Sequence, residues 1–121
     1  MKTIKYFAGL CLLFATSIAF AQTKPVQSEK IKVWGNCGMC KSHIEKAAKA
    51  AGATTAFWNK DTKILAVSYQ PGQTTDMKIQ EKIAAAGYDT RDLTADNKAY
   101  EALDECCKYD RKGSGKAKSK Q

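Results

Sequence analysis

Two cysteines separated by two residues, Cys37 and Cys40, stand where the hydrophobic period of this chain changes. Before them, Lys30 to Trp34 alternates polar and apolar with Ile31 and Val33 on one face, which predicts a short strand. After them, Ile44, Ala47, Ala48 and Ala51 recur at i, i+3, i+4 and i+7, the stripe of an amphipathic helix that Gly52 can close. Both sulfurs of a Cys-x-x-Cys run at a strand-to-helix turn can point at one spot. That geometry serves a soft metal ion or a reversible disulfide.

Downstream, Thr54 to Trp58 and Ile64 to Tyr69 read as two further strands, with Asn59-Lys60-Asp61-Thr62 as the turn between them. Pro71-Gly72 ends the second of these. Thr74 or Thr75 can cap a second helix whose apolar face is Ile79, Ile83 and Ala86, with Gly87 as its stop. Tyr88 to Leu93 is the last expected strand. The order βαββαβ predicts an α+β fold, the ferredoxin-like sandwich, with two helices on one face of a four-stranded antiparallel sheet. Thr94 can cap an extra C-terminal helix, with Asp96 in its first turn and a stripe of Ala99 or Tyr100, Leu103, then Cys106 or Cys107.

The ends read differently. Lys2 and Lys5 precede an apolar stretch from Tyr6 to Phe20, and Ala19-Phe20-Ala21 is a small-x-small cleavage site. Residues 1–21 are therefore expected to be a signal peptide, too short for a comfortable membrane span, with an uncleaved anchor as the alternative. The expected location is secreted, in a bacterial periplasm. The divisions that follow are a polar linker at 22–29, the domain at 30–93, the C-terminal helix at 94–110, and a disordered basic tail at 111–121. The formal charge of +8 loses two units with Lys2 and Lys5 and five with Arg111, Lys112, Lys116, Lys118 and Lys120, leaving +1. A nearly neutral folded part argues against nucleic-acid binding, and the tail reads as an aid to solubility.

Strand, Gly-x-Cys-x-x-Cys, helix, hairpin, helix and Ala86-Gly87-Tyr88-Asp89, spanning Glu29 to Leu93, together resemble the heavy-metal-associated domain family. That family includes small copper chaperones, N-terminal domains of copper-exporting ATPases and a periplasmic mercury-binding protein. The resemblance implies that Cys37 and Cys40 bind Cu(I) or another soft ion. The family's run is Gly-Met-x-Cys-x-x-Cys; here Gly35-Asn36-Cys37 is one residue shorter and Met39 lies between the cysteines.

Cu(I) and Hg(II) favour sites with few thiolates, and the free N–H groups of a helix's first turn favour the thiolate form. Zinc normally takes four ligands. Cu(I) is thus the leading cargo, with Hg(II) or Zn(II) as alternatives. His43, one helical turn after Cys40, can reach the site as a ligand or face solvent. A helix of about 12 residues at ~1.5 Å each covers ~18 Å, close to the length of a five- or six-residue strand. Cys106 and Cys107 can therefore travel back to Cys37 and Cys40 and add one or two thiolates. A vicinal disulfide, a disulfide to the loop, or simple core packing are the alternatives.

The expected function is binding and transfer, not catalysis: a carrier or scavenger exchanging metal with a metal-transporting membrane protein or another metal-binding domain. It would act as a monomer or as a metal-bridged dimer. One histidine, with no glycine-rich phosphate loop and no placeable Ser/His/Asp set, offers little to an enzyme. The rivals are a thiol-disulfide oxidoreductase, though the aromatic-Cys-Gly-Pro-Cys run is missing, and an interaction module with structural disulfides.

Overall fold

The computed structural model describes residues 25–113. The expected signal peptide at 1–21 and the tail from 114 onward lie outside the described residues. Strand β1 (Gln27–Lys32), helix α1 (Gly38–Ala50), strands β2 (Thr55–Asn59) and β3 (Ile64–Tyr69) and helix α2 (Asp76–Ala85) follow in chain order. A short helix α3 (Asn97–Glu101) and a 3-10 turn at Glu105–Cys107 follow within the described residues. The strands form one antiparallel sheet in the order β1-β3-β2. This is the α+β, ferredoxin-like arrangement that the hydrophobic pattern predicts. Among the described residues, no helix is long and apolar enough to cross a membrane.

Alternation decides which face of the sheet is covered. In β3, Leu65, Val67 and Tyr69 are buried while Ala66 is exposed. They meet Ile44, Ala47 and Ala48 of α1 and Ile79 and Ile83 of α2 in one core. Thr75 caps α2, its hydroxyl accepting from the Lys78 N–H at 3.1 Å. Trp58 is wholly buried beneath the cysteine loop and donates from its indole Nε1 to the Val33 carbonyl at 2.9 Å. A Cβ at Gly35 would come within 2.8 Å of that indole, so the loop lies this close only because Gly35 has none.

Three boundaries differ from the sequence reading, each for a local reason. Strand β1 starts at Gln27, inside the expected linker, because it pairs with the whole of β3, from Gln27↔Tyr69 to Lys32↔Ile64. The expected fourth strand, Tyr88 to Leu93, shrinks to a single bridge, Val33↔Thr90. Past that bridge the Thr90 N–H turns to the Leu93 carbonyl at 2.8 Å, and the Gln80 side chain binds the Thr90 hydroxyl and the Asp92 N–H. A turn thus replaces further pairing. The expected C-terminal helix over 94–110 is broken into the five residues of α3 and the 3-10 turn. Segment 94–113 is folded against the domain as a strap. Gly87, at φ 106, lets it sit there, since a Cβ would stand 2.9 Å from the Ala99 carbonyl oxygen.

Candidate metal centre

Cys37 occupies the N-cap position of α1 in extended conformation, and Cys40 lies in the first turn. Their sulfurs are 3.9 Å apart. The strap brings Cys107 to the same place: the sulfurs of Cys37, Cys40 and Cys107 all lie within 4.8 Å of one another. Three sulfurs around one ion, with metal–sulfur bonds of about 2.3 Å, stand about 4 Å apart, so this donor set fits a soft cation. Cys40 and Cys107 are completely buried and Cys37 is half-buried. All four described cysteines are free thiols.

Cys106 is not in this group. It is exposed, and its sulfur points to the Met39 thioether at 3.8 Å. Its backbone nevertheless helps build the site, because the Cys106 carbonyl accepts from the Cys37 thiol at 3.2 Å and from the Asn36 amide at 3.1 Å. His43 also stays outside the sulfur group. It is half-buried on α1, with Nδ1 2.8 Å from the Tyr88 hydroxyl.

The three clustered thiols sit in unequal surroundings. The Cys40 N–H at the start of α1, aided by the Met39 N–H, draws the Cys37 thiol down to about 7 against the opposing effect of burial. Burial pushes Cys107 up to about 12, and its neighbour Cys40 adds to the shift. The half-exposed member is therefore the readiest to bind, and the deepest gives up its proton only to a strongly attracting ion. Tyr88 is fully buried, and burial, with the neighbouring Cys107 and Cys40 thiols adding to it, raises its pKa. Tyr88 thus has His43 as its hydrogen-bond partner and the sulfurs as electrostatic neighbours.

What fixes the strap is a set of residues beyond those the sequence reading singled out. The Tyr109 hydroxyl donates to the Gly87 carbonyl at 2.7 Å and accepts the Asp89 N–H at 2.8 Å. Tyr109 also stacks on Tyr88, with ring centroids 5.6 Å apart. Arg111 grips the fully buried Asp89 carboxylate through Nε and Nη2, both at 2.9 Å, and the Ala95 and Lys112 N–H groups supply two further bonds. Burial opposes ionisation of Asp89, but the Arg111 bonds and these N–H groups outweigh it and hold the carboxyl below its usual range. Arg111 and Lys112, read from composition as the start of a disordered tail, are thus part of the fold. The available signal was Asp89 itself, since an acid that follows an apolar helix into the core calls for a cation.

No family model matches the chain. Among solved structures, the fold superposes on the CopZ metallochaperone with a TM-score of 0.50 and 30% identity, covering 53% of this chain and 98% of that one. Oxidized MerP from Ralstonia metallidurans overlays with a TM-score of 0.52 at 24% identity, over 55% of this chain and 94% of that one, a likeness of fold. In sequence, a zinc-transporting ATPase from Synechocystis sp. is 36% identical over 69 residues, which are 55% of this chain. The chain spans only 10% of that relative's length. An α+β sandwich with thiols gathered at the mouth of its first helix defines a metal-binding domain. The near-complete coverage of CopZ at this identity narrows the class: the chain belongs to the heavy-metal-associated domain family.

Proposed function

We propose that this protein is a secreted, periplasmic carrier or scavenger that holds Cu(I) on the thiolates of Cys37, Cys40 and Cys107. The single observation that carries the reading is the convergence of three sulfurs, one of them 67 residues further along the chain. Three sulfurs suit Cu(I), while Zn(II) would lack its usual fourth ligand. Hg(II) shares the preference for sulfur and is the alternative cargo. The role is binding and exchange rather than catalysis, with a metal-transporting membrane protein or a second metal-binding domain as donor or acceptor. Placement in the envelope rests on the leader-like residues 1–21.

The test is an anaerobic Cu(I) titration of the reduced protein against a chromophoric Cu(I) chelator, with Hg(II) and Zn(II) in parallel. Tight one-to-one Cu(I) binding is expected. Cys107→Ser should weaken it by more than the about 10–100-fold that loss of a supporting residue costs. Failure to compete with the chelator would remove Cu(I) from consideration, and an unchanged Cys107→Ser affinity would return the site to two thiolates. One observation favours thiol-disulfide exchange instead: the Cys37 thiol at about 7. Catalysed reduction of a model disulfide by the metal-free protein, lost in Cys37→Ser, would support that second reading.

A further inference from the structure

We infer that Cys106 and Met39 form a surface transit site for soft metal ions, through which cargo reaches and leaves the buried three-sulfur cluster. The inference rests on the function proposed above and adds a route to it. An ion held by Cys40 and Cys107, both completely buried, offers a partner's ligands no approach from those sides. Cys37 is the only member of the cluster with a face toward solvent. Cys106 is fastened beside that face, its carbonyl accepting from the Cys37 thiol at 3.2 Å and from Asn36 at 3.1 Å.

There a second pair of soft donors meets. The Cys106 sulfur lies 3.8 Å from the Met39 sulfur, 67 positions away in the sequence, and both residues are exposed. Two metal–sulfur bonds of about 2.3 Å span up to ~4.6 Å, so one ion fits between them in a bent arrangement. A thioether is a soft neutral donor and a weaker ligand than a thiolate, as suits a site that must release what it takes up. Met39 leaves 42% of its surface in water, so an arriving ion can reach it from solvent.

The transfer is a ligand exchange without oxidation or reduction. Cu(I) arriving at the surface binds Met39 and displaces the Cys106 thiol proton to water. A bond to Cys37 forms, its thiol proton passing to water, before the bonds to Cys106 and Met39 break. Cys106 then takes a proton back from water, and Cys40 and Cys107 release theirs to water as they close on the ion. Release follows the same steps in reverse.

The experiment measures the Cu(I) affinity of the reduced protein and the rates of uptake from, and release to, a chromophoric Cu(I) chelator by stopped flow. The proteins compared are the full chain, Cys106→Ser, Met39→Leu and Cys107→Ser. Cys106→Ser and Met39→Leu should keep the affinity within about threefold while slowing uptake and release together by at least about tenfold. Unchanged rates in both variants would overturn the transit site. So would a loss of affinity in Cys106→Ser as large as in Cys107→Ser, because Cys106 would then be a ligand of the tight site. Absence of Cu(I) binding by the unaltered protein would instead defeat the proposed function itself, a different result from normal binding with unchanged rates.

Discussion

The sheet and its two helices are held chiefly by apolar burial, whereas the strap at 94–113 joins the same core through a few residues and adds directed polar contacts. In the first region Ile31, Ile44, Trp58, Leu65, Ile79 and Ile83 are wholly buried in one cluster. The strap places Cys107 and Tyr109 in that same cluster, with Tyr100 and Leu103 against it, and is further fixed by the Tyr109 hydroxyl and the Arg111–Asp89 pair. Apolar burial tolerates changes of shape that conserve volume, but a hydrogen-bond network fails when one partner is removed. The cysteine site draws on both regions. Cys37 and Cys40 belong to the first helix, and Cys107 to the strap that the polar contacts fix.

The largest effect should come from the core. Trp58→Ala removes the side chain beneath Gly35 and empties space that the fold cannot refill, at a cost of about 3–5 kcal/mol. Against a total stability of roughly 5–15 kcal/mol, the urea midpoint should fall sharply and the Cys37–Cys40 loop should lose order with the rest. Loss of cysteine geometry with an unchanged midpoint would mean that the loop and the core are not one cooperative unit.

Removing the strap's anchor should act more locally. Arg111→Ala leaves the Asp89 carboxylate buried without its cation, which would cost about 3–5 kcal/mol if the strap had to stay in place. The strap can instead detach, which limits the loss to the free energy of its own opening. The expected result is faster hydrogen exchange at Cys107, Tyr109 and Lys112, little change in β3, and Cu(I) affinity close to that of Cys107→Ser. Equal loss of protection in β3 would erase the distinction between the two regions. Acid should do the same without mutation. The folded-state pKa of Asp89 lies below its usual value, so its contribution is complete above pH ~4 and is lost as pH falls through that lowered value. On acidification the strap amides should therefore lose protection before those of β3.

The same contrast explains what could be read from the sequence. The period-2 and period-3.6 patterns located α1, β2, β3 and α2, because in those elements the apolar stripe is what does the folding. The Cys-x-x-Cys turn was equally plain. The arrival of a distant cysteine followed from counting residues along a returning segment, but which of two neighbours would face inward did not, since a 3-10 turn replaced the expected helix there. Nothing periodic marks Tyr109 or Arg111. Their roles depend on a buried acid 20 or so residues upstream, a pairing that exists only once the chain is folded. The shortened fourth strand was hidden for a related reason, because the Gln80 side chain that ends it comes from α2.

His43 gives the smallest expected effect and the most discriminating one. From sequence it could be a ligand, one turn beyond Cys40; in the fold its Nδ1 meets the Tyr88 hydroxyl, whose pKa the neighbouring Cys107 and Cys40 help to raise. A residue that acts through Tyr88 belongs with the polar contacts around the site. His43→Gln can keep a bond to Tyr88, whereas His43→Ala removes it, at about 0.5–1.5 kcal/mol. If His43 only orients Tyr88, Cu(I) affinity should fall by no more than the about tenfold that this one bond is worth in His43→Ala and recover in His43→Gln. A ligand would behave otherwise: both variants would lose affinity to the extent that Cys107→Ser does, and the metal-bound protein would show nitrogen beside sulfur in its X-ray absorption spectrum. That outcome would require the His43 side chain to leave Tyr88 when metal binds and would make the site one of mixed donors.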